Sequence, residues 1–343
     1  MSYSDRRQPT DADPTHAAPR RRFEHVDELA AIGLSEPDAR TMHFLWQIVD
    51  EGVLGASRHV SLGIEMVRHI LESAPASEAW ARARHVIDFV ARTRGRDTPV
   101  IGNSLAALLA GLDAVPETGR AAALADRART WNEDAAARKE RLVSAAARHL
   151  GQTRGILAFD YSSTVAAIVL RLVARGARPL VFVPESRSID GGEKYLAEFL
   201  AAGLPVRFIP DAAIEYGLVR CDAVLLGVET LRADGSFLNT IGSAMIARLA
   251  VPRGIDVYGC SDLMKLDQGS YEGRRPDPAL RRYDRIIPSS LGKEARELVD
   301  TSAPELEVIP ASLVTALLTE YGPVPPSAIW TLGRPTIAEG DGQ

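Results

Sequence analysis

Gly155-Ile156-Leu157-Ala158-Phe159-Asp160-Tyr161-Ser162-Ser163-Thr164 decides the fold: an apolar run, an acid, then hydroxyls that open a helical stretch. The pattern of an apolar run ending in an acid recurs down the chain. Residues 180–183 run into Pro184-Glu185, 206–209 into Pro210-Asp211, and 223–227 into Val228-Glu229. Apolar runs this short, separated by helical stretches, read as buried parallel strands. A fifth, 255–258, leads to Gly259-Cys260-Ser261-Asp262. Repeated strand–helix units demand a parallel sheet with right-handed crossovers, hence a Rossmann-like domain. In open sheets of this kind ligands bind outside the carboxyl ends of the strands. Successive acids therefore point to the edge where chemistry sits. Asp and Glu are also what strand-to-helix loops recruit as caps, and the residues alone leave both readings open.

Upstream the pattern is helical. His43-Phe44-Leu45-Trp46-Gln47-Ile48-Val49 opens one amphipathic helix, with Gly52 and Gly55 after it. Residues 60–71 and 80–91 form two more. Asp97-Thr98-Pro99 caps another, running through Leu105, Leu108, Leu109 and Leu112. Residues 133–150 make a long Ala/Arg helix. The expected organisation is a disordered tail at 1–22, a helical N-terminal domain at 23–150, a Rossmann-like parallel-sheet domain at 151–331 and a short tail at 332–343. Within the second domain, 230–238 reads as a polar loop turning at Asp234-Gly235. Residues 285–287 and 306–309 read as later strands, and 311–321 as a closing helix.

Composition excludes several classes. The chain of 343 residues is 46% hydrophobic and 25% charged, ordinary for a globular protein. A net charge of -5, with no basic segment past the N-terminus, argues against nucleic acid as the main partner. Two cysteines, Cys221 and Cys260, give no disulfide framework and fit a reducing compartment. No apolar run approaches the ~18 residues of a membrane span, and no signal-peptide core opens the chain; the expected location is cytoplasmic. The seven histidines show no metal spacing, so neither a metal nor a cofactor is expected.

The chemistry is read from the residues just past the strands. The first turn lacks G-x-G-x-x-G, which argues against a dinucleotide. Ser162, Ser163 and Thr164 instead offer hydroxyls and free N–H groups at a helix start, a site for one phosphate. Plain N-capping by Ser162 is the alternative. Arg96, at a helix start in the other domain, can hold a phosphate with its fork of donors. Arg187 and Lys194, near the start of the second helix, can join it.

Read in order, these segments resemble the family that unites the translation initiation factor 2B alpha, beta and delta subunits with methylthioribose-1-phosphate isomerase and ribose-1,5-bisphosphate isomerase. The resemblance rests on Gly55-Ala56-Ser57, Arg96-Asp97-Thr98-Pro99, Asn103-Ser104-Leu105, Ser162-Ser163-Thr164-Val165, Pro184-Glu185-Ser186-Arg187, Asn239-Thr240-Ile241-Gly242, Lys265 and Thr319-Glu320-Tyr321-Gly322. It spans about 40–331. It implies a helical domain followed by a Rossmann-like one, and dimerisation through the latter. It adds Asn239, Thr240 and Lys265 to the ligand-contacting positions. The family's isomerases move protons between two sugar carbons with a Cys and an Asp. This chain has Asp160 and Glu229 at those positions. The family's Lys is Thr240 here, and an Arg before Gly-Ala is Leu54. Two nearby carboxyls push their pKa values apart, giving one acid and one base. The expectation is therefore a phosphosugar isomerase with catalytic residues Asp160 and Glu229. The alternative is a non-catalytic subunit that senses a sugar phosphate or nucleotide and regulates a partner protein. A homodimer or higher homo-oligomer is expected, with the apolar 311–321 segment at its interface.

Overall fold

The computed structural model describes residues 29, 38–49, 56–275 and 278–333. The expected tail at 1–22, nearly all of that at 332–343, and Gly52, Leu54 and Gly55 lie outside the described residues. The helical region comprises α1 (Ala39–Val49), α2 (Ala56–Ser73), α3 (Ala76–Arg92), the short α4 (Arg94–Asp97), α5 (Pro99–Leu109) and α6 (Arg120–His149). Pro99 takes the first helical position of α5, where its missing N–H costs nothing. Apolar residues at helical spacing, among them Phe44, Leu45, Met66, Val86, Phe89 and Leu105, close one core.

The remainder alternates. β1 (Gly155–Phe159), α7 (Ser163–Ala174), β2 (Leu180–Pro184), α8 (Gly192–Ala201), β3 (Val206–Ile209), α9 (Ile214–Leu218) and β4 (Ala223–Gly227) come first. Then follow β5 (Thr230–Leu231), β6 (Phe237–Thr240), α10 (Ser243–Ala250), β7 (Asp256–Cys260), β8 (Leu280–Arg282), α11 (Lys293–Glu297), β9 (Ser302–Pro304), β10 (Leu306–Ile309), β11 (Ala316–Thr319), β12 (Gly322–Val324) and α12 (Ile329–Leu332). The main sheet runs β12-β11-β7-β4-β1-β2-β3, parallel except for β12. This is the mixed α/β architecture expected, a helical domain followed by a mainly parallel sheet.

β1 shows why the sheet is buried on both faces. Ile156 and Ala158 pack with α6, α7 and α8, while Leu157 and Phe159 pack with α9 and α10. A strand alternates faces, so a run with no polar residue needs a cover on each side. Helix α6 joins the two halves. Thirty residues at ~1.5 Å each span roughly 45 Å. Leu124 belongs to the helical core, and Leu142, Val143, Ala146 and Ala147 to the core over the sheet. The stretch between these anchors is left to face the gap.

Three expectations on the C-terminal half are corrected. Residues 311–321 form no α-helix but a single 3-10 turn at Ala311–Leu313 and then β11, with β12 following. Leu317 and Leu318 are buried between β7 and β12, and Thr315 ties the segment to Val257 through its N–H and its hydroxyl, which accepts at 3.0 Å. Residues 285–287 are no strand. A turn at Asp284–Ile286 is pinned by Arg282 and Thr301 donating to Asp284. Residues 230–238 are no surface loop. β5 and β6 pair antiparallel and are buried, with Gly235 at φ 79 turning between them. β10 pairs with β6 in this second, antiparallel sheet rather than extending the parallel one.

Candidate functional site

The strand order fixes where a site can be. The chain runs from β1 outward to β2 and β3, then crosses back to β4 on the other side of β1. That reversal leaves a crevice between the carboxyl ends of β1 and β4. Asp160 follows β1 at once, and Glu229 comes two residues after β4. Both line one cleft of about 570 Å³. Helix α6 crosses over it, contributing Trp131, Arg138 and Lys139.

Asp160 is 7% exposed and adopts φ 55, a left-handed conformation that Asp tolerates better than most residues. The Thr240 hydroxyl donates to Oδ2 at 2.5 Å, and the Ser186 hydroxyl to Oδ1 at 3.3 Å. Burial pushes the Asp160 carboxyl above the usual carboxylate range. The Thr240, Tyr161 and Ser186 donors oppose the rise, and the charge of Glu229 adds to it. Gly191 lies against this carboxyl. A Cβ there would come within 1.9 Å of Oδ1, so only glycine leaves room.

Glu229 has different company. Thr98, from the helical region, donates to Oε1 at 3.2 Å. Lys265 Nζ stands 3.9 Å from Oε2 and donates to the Val228 carbonyl at 2.6 Å. One carboxyl is thus buried among hydroxyls, while the other is half-exposed beside a cation. The Lys265 loop is itself docked on α5. Asn103 Nδ2 donates to the carbonyls of Met264 and Leu266, each at 2.8 Å.

The start of α7 forms the other wall. Ser162 caps the helix, its Oγ accepting from Val165 N–H at 3.4 Å, while its own N–H donates to Tyr195 OH at 3.0 Å. The capping alternative therefore holds for Ser162. Ser163 and Thr164 line the cleft, and their N–H groups belong to the first turn, which no helix satisfies internally. Lys139 Nζ donates to Ser163 Oγ at 3.2 Å, which puts an ammonium at this helix start. Arg138 stacks over Trp131 at 4.9 Å, and its Nε is buried without a hydrogen-bond partner among the described residues. Asn239 lines the cleft with its Nδ2 donating to Ser243 Oγ at 2.9 Å.

Not every expected residue converges. Arg187 is exposed beside Asp190 and does not line the cleft; its backbone instead donates to Asp211 at 2.8 Å. Arg96 belongs to α4, but its side chain is outside the described residues. Thr240 lines the cleft, yet its hydroxyl is engaged with Asp160. Sequence reasoning missed Lys139, Arg138, Thr98, Ser186 and Gly191. One signal for Lys139 was available. The chain has only four lysines, and Lys139 and Lys265 both line the cleft. Among the described residues no cluster of His, Cys, Asp and Glu can hold a metal ion, and no helix is long and apolar enough to cross a membrane. Cys260 is buried at the end of β7, and its thiol is pushed up by burial. The cleft thus brings together a helix start with an ammonium beside it and two carboxyls in unlike surroundings.

Comparison with known proteins agrees with this architecture. The chain is 26% identical over 289 residues to ribose 1,5-bisphosphate isomerase of Haloterrigena turkmenica, covering 81% of this chain and 86% of the relative. It is 29% identical over 180 residues to translation initiation factor eIF2B subunit alpha of Dictyostelium discoideum, covering 51% and 56% respectively. The fold matches a translation initiation factor eIF-2B from Pyrococcus horikoshii with a TM-score of 0.68 at 21% identity, covering 84% of this chain and 98% of that one. Residues 57–326 match the initiation factor 2 subunit family as a whole, and the chain belongs to that family.

Proposed function

We propose that this protein is an acid/base isomerase acting on a phosphorylated pentose or nucleoside-derived sugar. The observation that carries the reading is the convergence of Asp160 and Glu229 at the strand-order reversal, in one cleft with the α7 start and Lys139. The phosphate would rest on the N–H groups of Ser163 and Thr164 with Lys139 as its counter-charge, and Arg96 as a further ligand. That places the sugar carbons toward the two carboxyls. One carboxyl takes a proton from carbon and the other protonates the adjacent carbonyl oxygen, giving an enediol. Reversal of both transfers at the neighbouring atoms gives the isomer. The relative from Haloterrigena, named for an isomerase of a phosphorylated sugar, supports the substrate class. The test is proton NMR of candidate aldose phosphates in heavy water. Turnover with deuterium entering the substrate supports isomerisation. Tight binding with no exchange and no product would sink it.

A second reading has its own support: the alignment to a translation factor subunit at 29% identity. On that reading the cleft senses a sugar phosphate or nucleotide and the protein regulates a partner. Binding without turnover, unaltered in Asp160→Asn and Glu229→Gln, would favour it. We also infer a homo-oligomer from the family resemblance. Within 311–321, Leu317, Leu318 and Thr319 are buried in β11, while Tyr321 is exposed and is the apolar side chain of this segment free to join an interface. A clean monomer by light scattering at micromolar concentration would refute this.

A further inference from the structure

Three non-glycine residues among those described have left-handed backbone: Asp160, Ser186 and Asp190, with φ 55, 51 and 55. All three follow β1 or β2. Such conformations persist where surrounding contacts over-determine them. The contacts here form one chain. Asp211, after β3, accepts from the Ser186 N–H at 2.9 Å and the Arg187 N–H at 2.8 Å. That fixes Ser186, which is fully buried, so that its hydroxyl reaches Asp160 Oδ1. Thr240, buried on β6, closes on Oδ2 from the opposite side. Gly191 stands against Oδ1 where any side chain would displace it.

Resting on the isomerase reading, we propose that Thr240 and Ser186 are positioning residues that hold the Asp160 carboxyl for use as the proton donor, with Glu229 as the acceptor. The assignment follows from the two environments. Glu229 is half-exposed, with the Lys265 ammonium 3.9 Å from Oε2 and the Thr98 hydroxyl donating to Oε1, so an acceptor there faces a counter-charge. Asp160 is held instead by two hydroxyls and the Tyr161 N–H, and burial disfavours its charge. The groups that face Asp160 are Glu229 from the loop after β4 and the Tyr195 phenol from α8. Beyond them in the cleft lie Lys139 of α6 and Asp262 and Lys265 after β7. Asp190 and Asp211 flank the Ser186 loop but engage Arg187 and backbone amides. In the forward half-reaction the C–H electron pair becomes the C=C bond as Glu229 takes the proton. The carbonyl π pair takes the proton of Asp160. In the second half each carboxyl returns to its starting state.

A neutral hydroxyl at 240 matters because it orients Asp160 without fixing its charge. The experiment substitutes it in two directions and follows the pH–rate profile. Thr240→Val removes a donor that favours the carboxylate, so the alkaline limb moves to higher pH. Thr240→Lys places a cation there, so the limb moves to lower pH. A merely structural residue would lower the rate in both variants and move neither limb. Limbs that stay fixed, or move together, overturn the proposal. A second measurement is independent of turnover. Infrared titration of the whole protein reads the protonated-carboxyl band, and the difference from Asp160→Asn isolates Asp160 from Glu320, whose carboxyl burial also pushes up. The expected result is an Asp160 band that survives above the range where exposed carboxylates ionise. If Asp160 titrates as an ordinary carboxylate, the donor assignment fails even in an active enzyme. If the band survives but no sugar phosphate turns over, the isomerase reading fails and the protonated Asp160 stands.

Discussion

The two halves of the sheet's carboxyl edge carry the same sequence signature and have different fates. Asp160 and Glu229, after β1 and β4, meet in the cleft. Glu185 and Asp211, after the neighbouring β2 and β3, do not line it. Asp211 holds the amides of Ser186 and Arg187, as a loop-capping acid does. An acid at a strand end is thus neither functional nor structural by type. Its position relative to the reversal in strand order decides, because only there do the outgoing chains diverge and leave a crevice. The halves are still connected: Asp211 fixes Ser186, and Ser186 touches Asp160.

The largest break between them should come from neutralising the acids in turn. Asp160→Asn and Glu229→Gln are each expected to lower turnover by roughly 10²–10⁴-fold, the usual worth of a general acid or base. Ligand affinity should be nearly kept. Glu185→Gln should leave the rate unchanged, and steady-state kinetics with direct binding measurements separate the cases. Gly191→Ala tests whether Asp160 needs its space. The added methyl should destabilise the fold by about 1–3 kcal/mol, typical of overpacking, and depress turnover more than affinity. Full activity in this variant would show that the tight contact is not needed.

Lys139→Ala examines the other wall of the cleft. Affinity for a phosphorylated ligand should fall by about 2 kcal/mol, the scale of a charged hydrogen bond, or roughly thirtyfold. A dephosphorylated analogue should bind the variant and parent alike, as calorimetry can show. Asp211→Ala should lower unfolding stability by about 1–2 kcal/mol through its unpaired amides. Its effect on turnover should be far smaller than that of Asp160→Asn. If the two are equal, the structural assignment of the β3 acid is wrong.

The smallest effect is expected away from the edge. Arg171 of α7 donates to both carboxylate oxygens of Glu140 of α6, at 2.7 and 2.8 Å. These bonds, with Ser144, hold the Glu140 carboxyl down at about 2. A depressed carboxylate contributes stability above its unfolded pKa and loses it as pH falls through the folded value. Glu140→Gln should therefore melt slightly below the parent near neutrality. The gap should close between the ordinary carboxylate range and about pH 2. A gap that persists unchanged at the acid end would remove the ion pair from the account.

The strands, their order in the chain and their parallel pairing were legible because 155–159 and 223–227 have no polar residue, and a run buried on both faces has few other ways to fold. The helix beginning after Ser162 was legible from its hydroxyls. The C-terminal half misled because 311–318 mixes apolar and β-branched residues over a length that suits helix or strand. What made it strand was the open edge of β7, a tertiary fact. The buried β5–β6 hairpin was hidden by its polar residues, whose partners lie far along the chain, as with the Thr240 hydroxyl donating to Asp160 at 2.5 Å.

The site divides in the same way. Sequence alone determined that acids end the strands and hydroxyls open the first helix, since these are local properties of neighbouring residues. Only the tertiary structure decided which acids meet, because that depends on the spatial order of strands that lie far apart in the chain. It also decided that Lys139, within the long Ala/Arg helix, stands over Ser163. A thirty-residue helix anchored at Leu124 and again at Leu142 must carry its middle across the gap between two cores, and the cleft lies in that gap.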